Sequence, residues 1–190
     1  MVAATGPVKV FGYAIVSADG MIADADGRMP PGLIHDADQV FYRTSLAAAR
    51  VVLHGRNSGE GGPEAARRTR VIVTRKVDAL VMLRTEPAIL LWNPVAAPFA
   101  AVVKTLGLRD GVVAVVGGTD VFELFLGLGY DAFYLTRAAA VMLPGGRPVF
   151  RRVPAIAPER LLAKAGLKRR RERELAPDLT LSVWEPEPPE

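Results

Sequence analysis

Two short runs in this chain of 190 residues combine glycine with groups that bind phosphate: Gly55-Arg56-Asn57-Ser58 and Gly117-Gly118-Thr119-Asp120-Val121. Each follows an apolar stretch, 51–54 (VVLH) and 111–116 (GVVAVV), that reads as a buried strand. Glycine at the end of a strand lets the backbone approach a ligand with no Cβ in the way. Where a helix follows, its first amides and its positive dipole end face that ligand. Arg56 adds a permanent, planar cation suited to phosphate oxygens. The chain has no G-x-G-x-x-G after its first strand and no P-loop signature, which removes the two commonest phosphate-binding designs.

The remaining candidates for chemistry are few. Asp36 and Asp38 open a helical pattern over 36–49, with Val40, Phe41, Leu46 and Ala47 to Ala49 available to its buried face. Each carboxylate can serve as a helix N-cap or can hold a ligand, and both readings stay open. His35 stands alone in a loop, where a surface role is the simpler reading than proton donation. The chain has no cysteine, which excludes disulfides, thiolate-bound metals, iron–sulfur clusters and thiol catalysis. Two histidines leave no multi-histidine metal site, so no metal is expected. A chain without a nucleophile–base cluster suits reactions whose hard chemistry comes from a bound cofactor.

The elements that must position these residues alternate. Strands are expected over 8–16, 51–54, 70–74, 88–92, 111–116 and 132–136, with helices over 36–49, 98–106 and 120–128. That alternation predicts an α/β domain with a mostly parallel sheet and helices on both faces. The segment 17–31, rich in Gly, Asp, Ala and Pro, reads as a loop with little to offer the core. The segments 167–175 and 179–184 flank a Pro-Asp turn and read as a closing antiparallel hairpin, which makes the sheet mixed. One domain over 1–184 is expected, followed by a flexible Pro/Glu tail over 185–190.

The formal charge of +4 favours anionic partners, and it includes two clusters: Arg67, Arg68 and Arg70, and residues 168–173. As a strand, the second would put Lys168, Arg170 and Glu172 on one face and Arg169, Arg171 and Arg173 on the other. No aromatic is interleaved, so a charged edge that prevents sheet-to-sheet association is preferred over nucleic acid binding. No leader and no membrane-spanning run is read, and a cytoplasmic location is expected. Leu179, Leu181 and Val183 share one strand face with Trp184 at its end, a surface that predicts a homodimer.

Five segments, in order, resemble the dihydrofolate-reductase-like superfamily, and among its branches the reductase half of the riboflavin-biosynthesis deaminase-reductase. They are Ser17-Ala18-Asp19-Gly20-Met21-Ile22-Ala23, Gly55-Arg56-Asn57-Ser58, Val116-Gly117-Gly118-Thr119-Asp120-Val121-Phe122, 130–136 (YDAFYLT) and 143–150 (LPGGRPVF). The resemblance implies NADPH lying across the strand ends, a mobile loop after the first strand, and reduction of a small heterocyclic substrate of the pyrimidine type. Carried over, Ile22 and Ala23 stand near the nicotinamide; Gly55, Arg56, Asn57 and Ser58 hold the pyrophosphate and the 2′-phosphate side. Thr74 and Arg75 line the ribose phosphate, and Gly117, Gly118, Thr119, Asp120 and Val121 face the pyrophosphate from the other side. Met29-Pro30 is followed by Pro31 where dihydrofolate reductases carry Trp, and segment 59–63 is glycine-broken where a helix is usual. Dihydrofolate reduction is therefore the alternative activity, and a nucleotide-binding protein without turnover is the alternative of another class. Riboflavin-type relatives are usually dimeric, which agrees with the expected homodimer.

Overall fold

The apolar runs bounded by glycine and proline become strands because each buries both faces of its backbone ribbon under helices. The computed structural model describes residues 7–58 and 64–188. Six parallel strands form its centre: β1 (Lys9–Ser17), β3 (Val51–Gly55), β4 (Arg70–Val73), β6 (Ile89–Trp92), β7 (Val112–Val115) and β8 (Ala132–Ala138). Their order across the sheet is β8-β1-β7-β3-β4-β6. The hairpin of β10 (Leu167–Ala176) and β11 (Leu179–Pro186) extends one side through an antiparallel β11–β8 pairing. Antiparallel β5 (Leu80–Leu83) closes the other side. A separate two-stranded ribbon joins β2 (Met21–Ala23) to β9 (Arg147–Pro148). The architecture is the expected mixed, mostly parallel sheet with a C-terminal antiparallel hairpin.

Side chains alternate along β1 and sort the helices between the two faces. Val10 and Val16 join the main core, where they meet α2 (Phe99–Thr105), α3 (Thr119–Leu128) and α4 (Pro158–Lys164) through Val102, Phe122, Phe125 and Leu162. Phe11 and Tyr13 point to the opposite face, against Phe41 and Leu46 of α1 (Asp36–Ala48). Gly12 is required where it stands. A Cβ there would sit 2.3 Å from the Phe133 ring.

Several expectations change. Segment 17–31 is not a bare loop, because Met21 and Ala23 are buried core residues of β2. The residue before α1 is His35, without a side-chain cap; Asp36 and Asp38 lie inside the first turn, so neither is the N-cap. The helix phase turns Asp38 and Leu46 inward and leaves Val40 63% exposed. Leu179, Leu181, Val183 and Trp184 are all buried by the chain's own packing, which removes the surface that motivated the homodimer. The tail is shorter than expected: Glu185 and Pro186 belong to β11 and pair with Lys168 and Leu167.

The basic run lies on the sheet's edge strand β10, as a charged edge should. A register shift between Arg169 and Arg171 breaks the expected alternation of its two faces. Three of its five cations meet carboxylates, in the pairs Lys168–Glu187, Arg169–Glu172 and Arg171–Glu185. The glycine-broken segment 59–63 lies outside the described residues. No helix among the described residues is long and apolar enough to cross a membrane.

Candidate active site

The carboxyl ends of β8, β1, β7, β3 and β4 share one edge of the sheet, with β1 and β8 running on past the end of β7. The two glycine turns meet in the middle of it. The Gly55 amide donates to the Gly117 carbonyl over 2.8 Å, and the Val116 amide donates to Leu53 over 3.0 Å. The chain then turns tightly, with the Ser58 amide donating to the Gly55 carbonyl over 3.0 Å. A Cβ on Gly118 would lie 2.8 Å from the Ser58 hydroxyl, which would have to turn away to make room for it. Gly117 has φ +117°, a conformation that favours glycine for its own reason. The Gly117–Gly118 peptide is cis. Directly after it α3 begins, with the Val121 and Phe122 amides donating back to the Gly118 carbonyl. The earlier amides of that first turn, Thr119 and Asp120, are the ones a helix leaves for an outside acceptor.

Cations stand beside this cradle. Gly55 pairs with Val73 across β3 and β4, so Arg56 and Thr74 leave the sheet side by side. Arg56 and Arg75 are exposed and, among the described residues, neither pairs with a carboxylate. The Thr74 amide donates to the Trp92 carbonyl over 2.8 Å, and its hydroxyl accepts from the Lys76 amide over 3.2 Å. Not every residue of the second turn offers its side chain to the groove. Thr119 donates its hydroxyl to the Pro148 carbonyl of β9, and Val121 is core, packed beneath Gly55. Asp120 is neutralised by Arg151 at 2.8 Å.

A carboxylate lies farther along the same edge. Asp38 is 6% exposed and lies against Thr136, itself 2% exposed near the end of β8. Burial pushes the Asp38 carboxyl above its ordinary value, against the pull of the neighbouring Thr136 hydroxyl and His35. Asp36 is exposed. The structure thus brings Asp38, not Asp36, into the fold's interior. His35 turns its Nε2 to the Gly32 carbonyl at 2.9 Å. The signal for Thr136 in the sequence is slight: it is the one aliphatic hydroxyl of β8 (AFYLTRA).

Ile22 and Ala23 occupy β2, which is fixed against β9 through Met21–Pro148 and Ala23–Arg147 pairing. A Cβ on Gly146 would meet the Ala23 carbonyl at 2.5 Å, so this closing turn also needs glycine. An open cleft of about 440 Å³ lies elsewhere, between α1 and the opening residues of β1 and β7. Its lining includes Phe11, Val40, Phe41 and Val112, and Arg173 is its one ionised side chain, which makes it a poor place for chemistry. No group of three or more metal-ligating side chains occurs among the described residues.

A structure from Thermotoga maritima, a diaminohydroxyphosphoribosylaminopyrimidine deaminase/5-amino-6-(5-phosphoribosylamino)uracil reductase, superposes with a TM-score of 0.60 at 19% identity. It covers 95% of this chain, which spans 57% of that longer one. A pyrimidine reductase-like protein from Corynebacterium diphtheriae matches with a TM-score of 0.63 at 15% identity, over 93% of this chain and 91% of that one. Dihydrofolate reductase from Enterococcus faecalis, solved with NADP(H), matches with a TM-score of 0.60 at 13% identity, over 93% and 95%. The fold is dihydrofolate-reductase-like. No protein-family model matches the chain, and no curated protein matches it. At these identities the likeness is one of fold, and the dihydrofolate-reductase-like sheet is what sets both glycine turns and Asp38 on one edge.

Proposed function

We propose that this chain is an NADPH-dependent reductase of a small heterocycle, similar to the pyrimidine reductases of riboflavin biosynthesis. The observation that carries the reading is the Gly55–Gly117 hydrogen bond, which joins two separate glycine turns into one groove at the first turn of α3. A Cβ at Gly118 would crowd the Ser58 hydroxyl on this groove, and the free amides of Thr119 and Asp120 at the start of α3 suit a pyrophosphate. Arg56, with Thr74 and Arg75, would hold the 2′-phosphate, and Ile22 and Ala23 would face the nicotinamide. NADPH supplies the hydride, while the protein orients the ring and holds its charge. Asp38 is the group we assign to the substrate. A buried carboxylate accepts two parallel N–H bonds from an aminopyrimidine edge, and its raised pKa lets it hold a proton nearer neutrality than an exposed carboxylate does.

One observation favours dihydrofolate as a second substrate reading: of the two carboxylates in the first turn of α1, Asp38 alone is buried. The experiment is to follow NADPH absorbance with dihydrofolate, a dihydropterin and a ribosylaminopyrimidine. Oxidation with the pyrimidine alone supports the leading reading, and oxidation with dihydrofolate replaces it with the second. Tight NADPH binding with no oxidation by any of the three leaves a nucleotide-binding protein without turnover.

A further inference from the structure

The segment after β1 is tied down by one carboxylate. Ser17, fully buried, ends β1 and donates its hydroxyl proton to Asp19 Oδ1 over 2.6 Å. The same hydroxyl oxygen accepts the Met21 amide over 2.9 Å. A hydroxyl has one proton. Given to Asp19, it leaves the lone pairs turned to Met21, so Asp19 sets the direction of the bond that begins β2. Asp19 Oδ1 also accepts the Leu143 amide over 3.0 Å, in the turn that leads to β9. The Ala18 amide donates to Val141 over 2.7 Å, and the Val149 amide donates to Gly20 over 3.0 Å. Arg137 completes the frame, donating to the Ser17 and Ala18 carbonyls. The ribbon reaches the phosphate cradle through Thr119, whose hydroxyl holds Pro148.

We propose that Asp19 is a positioning residue: through Ser17 and the Leu143 amide it holds β2 and β9 as one ribbon, so that Ile22 and Ala23 stay in register with the cradle. The inference rests on the cofactor reading above. Asp19 does not touch the cofactor. It acts mainly on the nicotinamide end, because the phosphate groove is closed by hydrogen bonds between the ends of β3 and β7 and meets the ribbon through Thr119.

The test compares two ligands and two variants by calorimetry. Adenosine 2′,5′-bisphosphate carries the phosphate half of NADPH without the nicotinamide. Asp19→Ala should weaken NADPH by about tenfold or more, the size expected for losing hydrogen bonds to a charged group, and should leave the bisphosphate unchanged. Asp19→Asn should recover most of that loss, since its amide oxygen can take the two bonds that Oδ1 takes, although its NH2 forgoes the longer Leu143 contact that Oδ2 accepts. Amide hydrogen exchange in Asp19→Ala, with no cofactor present, should speed up at Met21 and Leu143 and stay slow in β1, β3 and β7. Equal weakening of both ligands would make Asp19 a residue of general stability and overturn the proposal. Unchanged NADPH affinity with unchanged exchange would overturn it as well. If the parent protein binds neither ligand, the cofactor reading itself fails and the positioning role goes with it.

Discussion

Asp38 of α1 lies against Thr136 at the carboxyl edge of the sheet, with both side chains buried. Burial raises the carboxyl's pKa in the folded protein. A raised carboxylate favours folding at low pH, and that contribution is lost as pH rises through the folded value. Asp38→Asn should therefore melt higher than the parent at neutral pH, by roughly 2–4 °C for each kcal/mol relieved in a chain of this size. The advantage should shrink towards acid, below the ordinary carboxylate range. The same variant should lose about a hundredfold or more in kcat/KM. Scanning calorimetry across pH checks the first part. A variant no more stable at pH 7 than at acid pH would show that Asp38 is comfortable where it is.

Asp19 should behave with the opposite sign. Burial acts to raise its pKa, but the hydrogen bonds from Ser17 and Leu143 outweigh it and hold the carboxyl below its ordinary value. Stability from such a group is present above the ordinary value and is lost as pH falls through the folded one. The melting difference between the parent and Asp19→Ala should be largest near neutral pH and should close in acid. A constant gap would mean that packing, and not the ionised acceptor, accounts for the loss.

Gly118 and Ser58 should be coupled. Gly118→Ala puts a Cβ 2.8 Å from the Ser58 hydroxyl, and the expected result is a large loss of NADPH affinity with circular dichroism unchanged. Ser58→Gly in the same chain removes the clash and should recover part of that loss, a non-additivity expected of groups in contact. Strictly additive effects would count against a shared groove.

NADPH should stabilise the protein more than NADH does. At about 100 times its dissociation constant a ligand contributes roughly 2.7 kcal/mol. Arg56→Ala should reduce the NADPH shift and leave the NADH shift nearly unaltered. Equal melting shifts for both cofactors in the parent would take the 2′-phosphate away from Arg56, Thr74 and Arg75.

The central strands are legible in the sequence because each is a short apolar run ended by glycine or a polar residue, and both glycine turns are visible at their ends. Their contact is not legible. Gly55 and Gly117 are joined by the parallel pairing of β3 with β7, which no local pattern reports. Edge strand β5 escapes notice because Val81 and Met82 are exposed and its run shows no alternation. β2 and β9 are too short to carry a period at all. The choice between Asp36 and Asp38 depends on the phase of α1 against β8. Two carboxylates in one first turn look alike until that helix is docked. Asp19 is legible only as part of a resemblance, since its role depends on the Leu143 amide far along the chain.

The hydrogen bonds that close the cradle run between the ends of β3 and β7, while the carboxylate assigned to the ring comes from α1. Residues 36–45 are therefore a cassette. A protein engineer can keep Phe41 and Leu46 as the anchors against Tyr13, Tyr134, Val52 and Ala114 and rewrite the rest to change which ring is accepted. None of the bonds that shape the nucleotide groove has to be redesigned.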